Sequence, residues 1–479
     1  MLFNSNAFYV FFPIVFAVYW IIPAKYRWGI LLISSYYFYM SWNVKYVTLI
    51  LTTTLVSFCA ALLMERTKSR RKKKLCMITA LVISFGILFF FKYFNFLSKS
   101  ITDLLQRFAI PVQETTLNLM LPVGISFYTF QTLSYVIDVY RGDVKACRHL
   151  GKYAAFISFF PQLVAGPIER TGNLLPQIEG EHTFHTEKGI HGAKMIAWGF
   201  FKKIAIADTV AVYVDTIYNA AGNYTGFPLL LSTVLFTFQI YCDFSGYSDI
   251  ALGTAELLDI DLMTNFKSPY FSASIREFWS RWHISLSTWF RDYVYIPLGG
   301  NRVPKWRHCL NLLLTFLVSG FWHGSSLTYL LWGALHGLLQ IAEVLLHPKS
   351  RQTPGDKKRW WQLPLTFALL CFTWIFFRAN NMEDALWVLS RLFWDIGRPL
   401  NYLKTAVICL DMPYASMFGM LLAAAVLLVY DLISLEEDVI ALVSRQKFFV
   451  RWPIYVLLLV VIALFSHKGI ATEFIYFQF

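Results

Sequence analysis

Charge is scarce in this chain. Asp, Glu, Lys and Arg together make up 15% of its 479 residues, where a soluble domain carries about 25%. With 57% of residues hydrophobic and 18% aromatic, there are too few polar side chains to cover a fold that stands in water. A bilayer removes that difficulty, but in lipid every backbone N–H and C=O must be paired internally, which leaves helices or a closed barrel. The apolar runs lack the period-2 alternation of barrel strands, so they are read as helices. Cysteine clusters are missing too. Cys59, Cys76, Cys147, Cys242, Cys309, Cys371 and Cys409 are scattered without a C-x-x-C pair, which indicates neither a disulfide framework nor a zinc site and reads as small core residues. There is no Walker A motif, no Gly-x-Gly-x-x-Gly, no His-Glu-x-x-His and no Gly-x-Ser-x-Gly, so ATP-driven transport and the usual soluble hydrolase chemistry have no support. A secretory signal is lacking as well: no basic region precedes residues 7–23, and Ile22-Pro23-Ala24-Lys25 is a poor cleavage site. Residues 7–23 therefore read as a retained membrane helix.

What is present is a succession of apolar runs. A span needs about 20 such residues, and runs at 7–23, 46–64, 75–97, 117–138, 229–242, 309–322, 325–346, 360–378, 414–434 and 450–466 qualify. Shorter stretches at 28–43, 152–168 and 190–218 fit spans, re-entrant segments or interfacial helices. The expectation is an all-α polytopic membrane protein of roughly ten to thirteen segments. With no long linker, residues 1–479 read as one integral-membrane domain ending in an aromatic tail, 467–479. The net charge of +13 does not point to nucleic acid, because the basic residues sit in short runs between apolar segments. Arg66, Lys68, Arg70, Arg71, Lys72, Lys73 and Lys74 form the clearest run, which marks a cytoplasmic loop in contact with membrane lipids. Counting onward places Arg141–Lys152 in the cytoplasm, the charge rule places 347–359 there too, and counting from that loop puts 467–479 outside.

Ionisable residues inside apolar segments are costly and point to function. Three regions break the pattern. The first is Phe321-Trp322-His323-Gly324, followed by His336 in Trp332-Gly333-Ala334-Leu335-His336. A neutral imidazole accepts the proton that a hydroxyl loses as it attacks a carbonyl, and Gly324 leaves room for close approach. A histidine bonded to a helix carbonyl for packing fits the residues equally. The second region, 275–295, carries Ile275, Phe278, Trp279, Trp282, Leu286, Trp289, Phe290 and Tyr293 at helical spacing. Arg276, Arg281, Arg291 and Asp292 lie off that stripe and His283 on its margin, the pattern of an amphipathic interfacial helix. It fits a plain anchor or a cavity wall that offers His283 and arginines to a charged substrate. The third is Cys242-Asp243-Phe244-Ser245-Gly246-Tyr247-Ser248-Asp249, with Glu256 beyond. Its carboxylates fit orienting a histidine, binding a cation, capping a helix broken at Gly246, or pairing with the arginines of 276–291.

At these residues the chain resembles the membrane-bound O-acyltransferase (MBOAT) family, in its bacterial alginate O-acetyltransferase-like branch. The matching stretches are Phe160–Ile168 (Phe-Pro-Gln-Leu-Val-Ala-Gly-Pro-Ile), Arg281–Arg302 beginning Arg-Trp-His, and Phe321-Trp-His-Gly324. The resemblance implies a helical membrane bundle enclosing a transmembrane tunnel, with interfacial and re-entrant helices, in a bacterial cytoplasmic membrane. It implies that His323 is catalytic and that His283 lines the site, with His336, Trp322, Gly324, Arg281, Arg291 and Asp292 as further lining positions. It implies no resident cofactor or metal, but acetyl-CoA or another acyl-CoA as cytosolic donor. The acyl group is then destined for an extracytoplasmic polysaccharide, through an SGNH-type partner acyltransferase. Phe474-Ile-Tyr-Phe-Gln-Phe479 resembles a terminal motif of this branch in which a tyrosine carries the acyl group, which implies Tyr476 as carrier. An aromatic interfacial anchor is the plain alternative for that tail. Two rivals stand beside the enzyme: a lipid or polysaccharide transporter, and a non-catalytic scaffold of an exopolysaccharide export complex.

Overall fold

The computed structural model describes residues 1–117, 121–164, 166–346, 360–410, 414–466 and 474–475. The described residues form helices throughout and no strand. Among the described residues six helices are long and apolar enough to cross a bilayer: Val44–Arg66, Arg70–Arg107, Phe227–Leu257, Leu327–Leu346, Ser416–Ile433 and Phe448–Ser466. Asn6–Ile21 and Gln362–Arg378 are shorter apolar helices. Phe448–Ser466 buries none of its side chains in protein, and Phe449 is 86% exposed. An apolar helix so little covered by protein requires lipid around it. The chain is a multi-pass membrane protein.

The chain divides into two compact units, Met1–Ala193 with Ala251–Met263, and Lys194–Ile250 with Thr264–Phe479. In the first, helices Asn6–Ile21, Arg27–Met40, Val47–Arg66 and Arg70–Arg107 follow one another. Ser5 caps the first by accepting the Phe8 N–H at 3.3 Å, and Pro23 stands just beyond its end. Rings of Phe8, Phe11, Phe38 and Phe160 meet at centroid distances of 5.4–6.4 Å and make an aromatic core. Buried Glu169, next to the Phe160–Ile168 stretch, accepts from the Met263 N–H at 2.5 Å and from Asn173 Nδ2 at 2.7 Å. Burial pushes its pKa up to about 7 against those bonds. Glu256 takes the histidine role anticipated for the carboxylates of its region, through His191 Nδ1 at 2.7 Å.

In the second unit the Phe227–Leu257 helix runs unbroken through Gly246, so no cap forms there. Gly246 instead permits a close helix crossing. A Cβ on Gly199 would stand 2.6 Å from the Gly246 carbonyl, and one on Gly246 would stand 2.8 Å from the Gly199 carbonyl. Directly after Gly199 the chain is π-helical over Phe201–Ala207, the kind of local widening that recurs at functional positions. Lys202 and Lys203 are buried there and meet the carboxylates of the facing helix. Lys202 Nζ lies 2.6 Å from Asp249, and Lys203 Nζ lies 2.7 Å from Asp243 and 2.8 Å from Asp208. The acids of 243–249 thus pair with lysines, not with the arginines of 276–291. All seven cysteines are free thiols. Cys147, Cys242 and Cys371 are core residues as expected, whereas Cys59 faces outward from its apolar helix.

Candidate active site

The helices Lys305–His323 and Leu327–Leu346 form a hairpin in the second unit. Two glycines let their backbones touch: a Cβ at Gly320 would overlap the Tyr329 carbonyl, and one at Gly333 would overlap the Phe316 carbonyl. That contact holds His323, the last residue of the first helix, against the start of the second. The space beside Gly324 is already taken, because a Cβ there would overlap the Tyr329 ring. The missing side chain at 324 accommodates Tyr329, where the sequence suggested room for an approaching substrate.

His323 is buried among aromatic rings. Its centroid lies 5.0 Å from Trp332, 5.3 Å from Phe377 and 4.8 Å from Trp322, each in edge-to-face geometry. Trp332 in turn lies 4.8 Å from His336. His336 is fully buried, and its Nδ1 accepts from Trp279 Nε1 at 3.2 Å. An indole N–H only donates, so His336 carries its own proton on Nε2. Among the described residues neither His336 Nε2 nor Trp332 Nε1 has a hydrogen-bond partner.

Residues 275–295 are not one amphipathic helix. They fold as Ile275–Arg281, Ile284–Phe290 and a π-helical turn, Arg291–Tyr295. Ser274 caps the first piece by accepting the Glu277 N–H at 3.1 Å, and Glu343 accepts the Ile275 N–H at 2.5 Å. The break falls at His283, whose backbone is left-handed at φ 43°. Asn265 stabilises the break from a distant loop: its carbonyl oxygen accepts the Ile284 N–H at 2.9 Å, and its Oδ1 accepts from Ser285 Oγ at 2.9 Å and His283 Nδ1 at 3.1 Å. This turn drives His283 inward, so it is fully buried instead of marginal. Because Asn265 presents an oxygen, His283 carries its proton on Nδ1 and directs a lone pair through Nε2. Burial pulls its pKa down to about 3, so it is neutral at physiological pH. Its ring lies 4.6 Å from Phe244 and 6.2 Å from Trp322.

The three histidines therefore alternate with tryptophans: His283, Trp322, His323, Trp332, His336, Trp279. Two of the arginines are ion-paired. Arg281 pairs with Glu277 at 2.8 Å, and Arg291, exposed, pairs with its neighbour Asp292 at 2.8 Å. Sequence reasoning missed Asn265, Trp279, Trp332 and Phe377. Trp332 was in view beside His336, whereas Asn265 and Phe377 lie in other segments and carry no local signal. Tyr476 lies outside the described residues, as do the loop 347–359 and most of the tail. Phe474 and Ile475 are described and buried.

These features define a class: an all-helical, multi-pass membrane protein with a buried cluster of histidines and tryptophans. Residues 148–383, which include His283, His323 and His336, match the membrane-bound O-acyltransferase family. The chain is 40% identical to the probable alginate O-acetylase of Pseudomonas aeruginosa over 400 residues, 83% of this chain and 75% of that protein. It is 33% identical to the peptidoglycan O-acetyltransferase of Helicobacter pylori over 438 residues, 84% of this chain and 82% of the relative. The teichoic acid D-alanyltransferase of Streptococcus thermophilus is 31% identical over 265 residues, 52% of this chain and 63% of that one. The chain belongs to the membrane-bound O-acyltransferase family. It is an acyltransferase, which separates it from the transporter and scaffold readings.

Proposed function

We propose that the protein moves an acetyl group from cytosolic acetyl-CoA across a bacterial cytoplasmic membrane for O-acetylation of an extracytoplasmic polysaccharide. The observation that carries this reading is the alternating histidine–tryptophan stack around His323. The names of the relatives, an alginate O-acetylase and a peptidoglycan O-acetyltransferase, support acetyl as the group and a secreted glycan as its destination.

His323 is the general base. A hydroxyl oxygen attacks the thioester carbonyl while its proton passes to the imidazole; the C–S bond then breaks, and the thiolate leaves with that proton. Such proton transfer contributes typically 10²–10⁴-fold. His283, neutral with its lone pair on Nε2, suits an acceptor that orients the attacking hydroxyl, while stabilising an oxyanion requires donors. The N–H groups of Trp332, which meets the His323 ring, and of His336, which lies beyond Trp332, are of that kind, since both are buried and lack acceptors among the described residues. Trp322 and Gly324 shape the wall at His323, and Arg281, Arg291 and Asp292 are further lining positions of this reading.

The first acceptor in this reading is the phenol of Tyr476. A phenol ester passes its acyl group on readily, because phenoxide leaves more easily than an alkoxide. An SGNH-type partner then transfers the group to the polysaccharide. Purified protein given labelled acetyl-CoA should accumulate label on Tyr476 in the absence of that partner. Label on a serine, or none, sinks the carrier step.

A further inference from the structure

The last described residues of the chain are held by a buried carboxylate. The Ile475 N–H donates to Asp243 Oδ2 at 2.8 Å, with both residues buried. Phe474, 0% exposed, sits against Tyr247 at 4.6 Å and Phe244 at 5.6 Å. Phe244 is the ring that meets His283 edge-on at 4.6 Å. One ring therefore touches both the terminal segment and a site histidine.

Pairing of a buried charge gives that contact its physical basis. A buried ionised carboxylate is tolerated only when its oxygens are paired. Asp243 Oδ1 has the Lys203 ammonium, but Lys203 is shared with Asp208. The backbone N–H of Ile475 supplies a donor to Oδ2, the carboxylate's other oxygen. The Gly199–Gly246 crossing and the π-helical turn after it bring Lys203 to Asp243. The whole arrangement serves a contact made through backbone, not side chain, of the terminal segment.

We propose that Asp243, set by Lys203, is the positioning residue that latches the carboxy-terminal segment beside the His283 wall. Tyr476 follows Ile475 directly in the sequence. The functional weight of the latch rests on the carrier reading above; the latch itself does not.

Hydrogen exchange of the full-length protein in detergent, read on the Phe474 and Ile475 amides, reports the latch, and acyl label on Tyr476 reports the carrier. Asp243→Ala is expected to speed exchange about ten- to a hundredfold, the worth of a hydrogen bond to a charged group, and to lower Tyr476 labelling. Asp243→Asn keeps a carbonyl acceptor and is expected to restore part of both, a rescue that a merely structural role does not give. Ile475→Pro removes the donor, leaves the Lys203 pair intact and serves where Asp243→Ala does not fold; it is expected to unprotect Phe474. Protection retained in folded Asp243→Ala or Ile475→Pro overturns the latch, even if Tyr476 is labelled in the unaltered protein. Protection lost in the variants, with no label on Tyr476 in any of them, upholds the latch and overturns the carrier instead.

Discussion

His283 donates its Nδ1 proton to Asn265 Oδ1 across 3.1 Å. That one bond assigns the tautomer of a fully buried imidazole, with the proton on Nδ1. It also holds the left-handed turn that separates two short helices.

Asn265→Ala is expected to lower acyl transfer at least tenfold, since the His283 N–H loses its partner at a cost of about 1–3 kcal/mol. Steady-state rates with acetyl-CoA check this. With its pKa at about 3, His283 stays neutral from pH 5 upward and contributes no acid limb to the rate. Asn265→Asp places a carboxylate at Nδ1, which favours the imidazolium. A new loss of rate on the acid side is the expected signature.

Glu169 gives a pH dependence of stability. Its carboxyl is raised by burial from 4.5 to about 7, so the folded protein keeps a proton that the unfolded chain has already lost. Between those values stability falls as pH rises, by roughly 3 kcal/mol at most. Thermal unfolding in detergent should show a higher midpoint at pH 5 than at pH 8. Glu169→Gln, uncharged throughout, should flatten that component.

One substitution should have opposite effects at two glycines. Gly333→Ala drives a methyl into the Phe316 carbonyl, and strain of that kind costs about 1–3 kcal/mol. Because the same contact seats His323, transfer should fall together with the unfolding midpoint. Gly86→Ala meets nothing within 4 Å and lies inside the Arg70–Arg107 helix, where alanine is favoured by up to about 1 kcal/mol. Its midpoint should hold or rise. Equal losses at both positions would falsify the packing argument.

The class of fold was legible because scarcity of charge and long apolar runs leave few options in lipid. His323 and His336 were legible as polar residues in apolar surroundings, and the structure places both in one aromatic stack. The 275–295 stretch was misread as a single helix because its period of apolar residues survives a break; a left-handed residue at 283 has no signature in a hydrophobic pattern. Asn265, which causes the break, acts from 18 residues away. The Asp243 and Asp249 partners were equally hidden. Lys202 and Lys203 lie some forty positions earlier, and only the Gly199–Gly246 crossing brings them near.

The account turns on His323 as the base for acyl transfer. The most direct measurement is release of thiol from labelled acetyl-CoA by purified protein, with His323→Ala compared at equal folded concentration. The account predicts a 10²–10⁴-fold loss of rate, with the unfolding midpoint close to that of the unaltered protein and no label on Tyr476. A His323→Ala protein that cleaves the thioester and labels Tyr476 at the unaltered rate contradicts it.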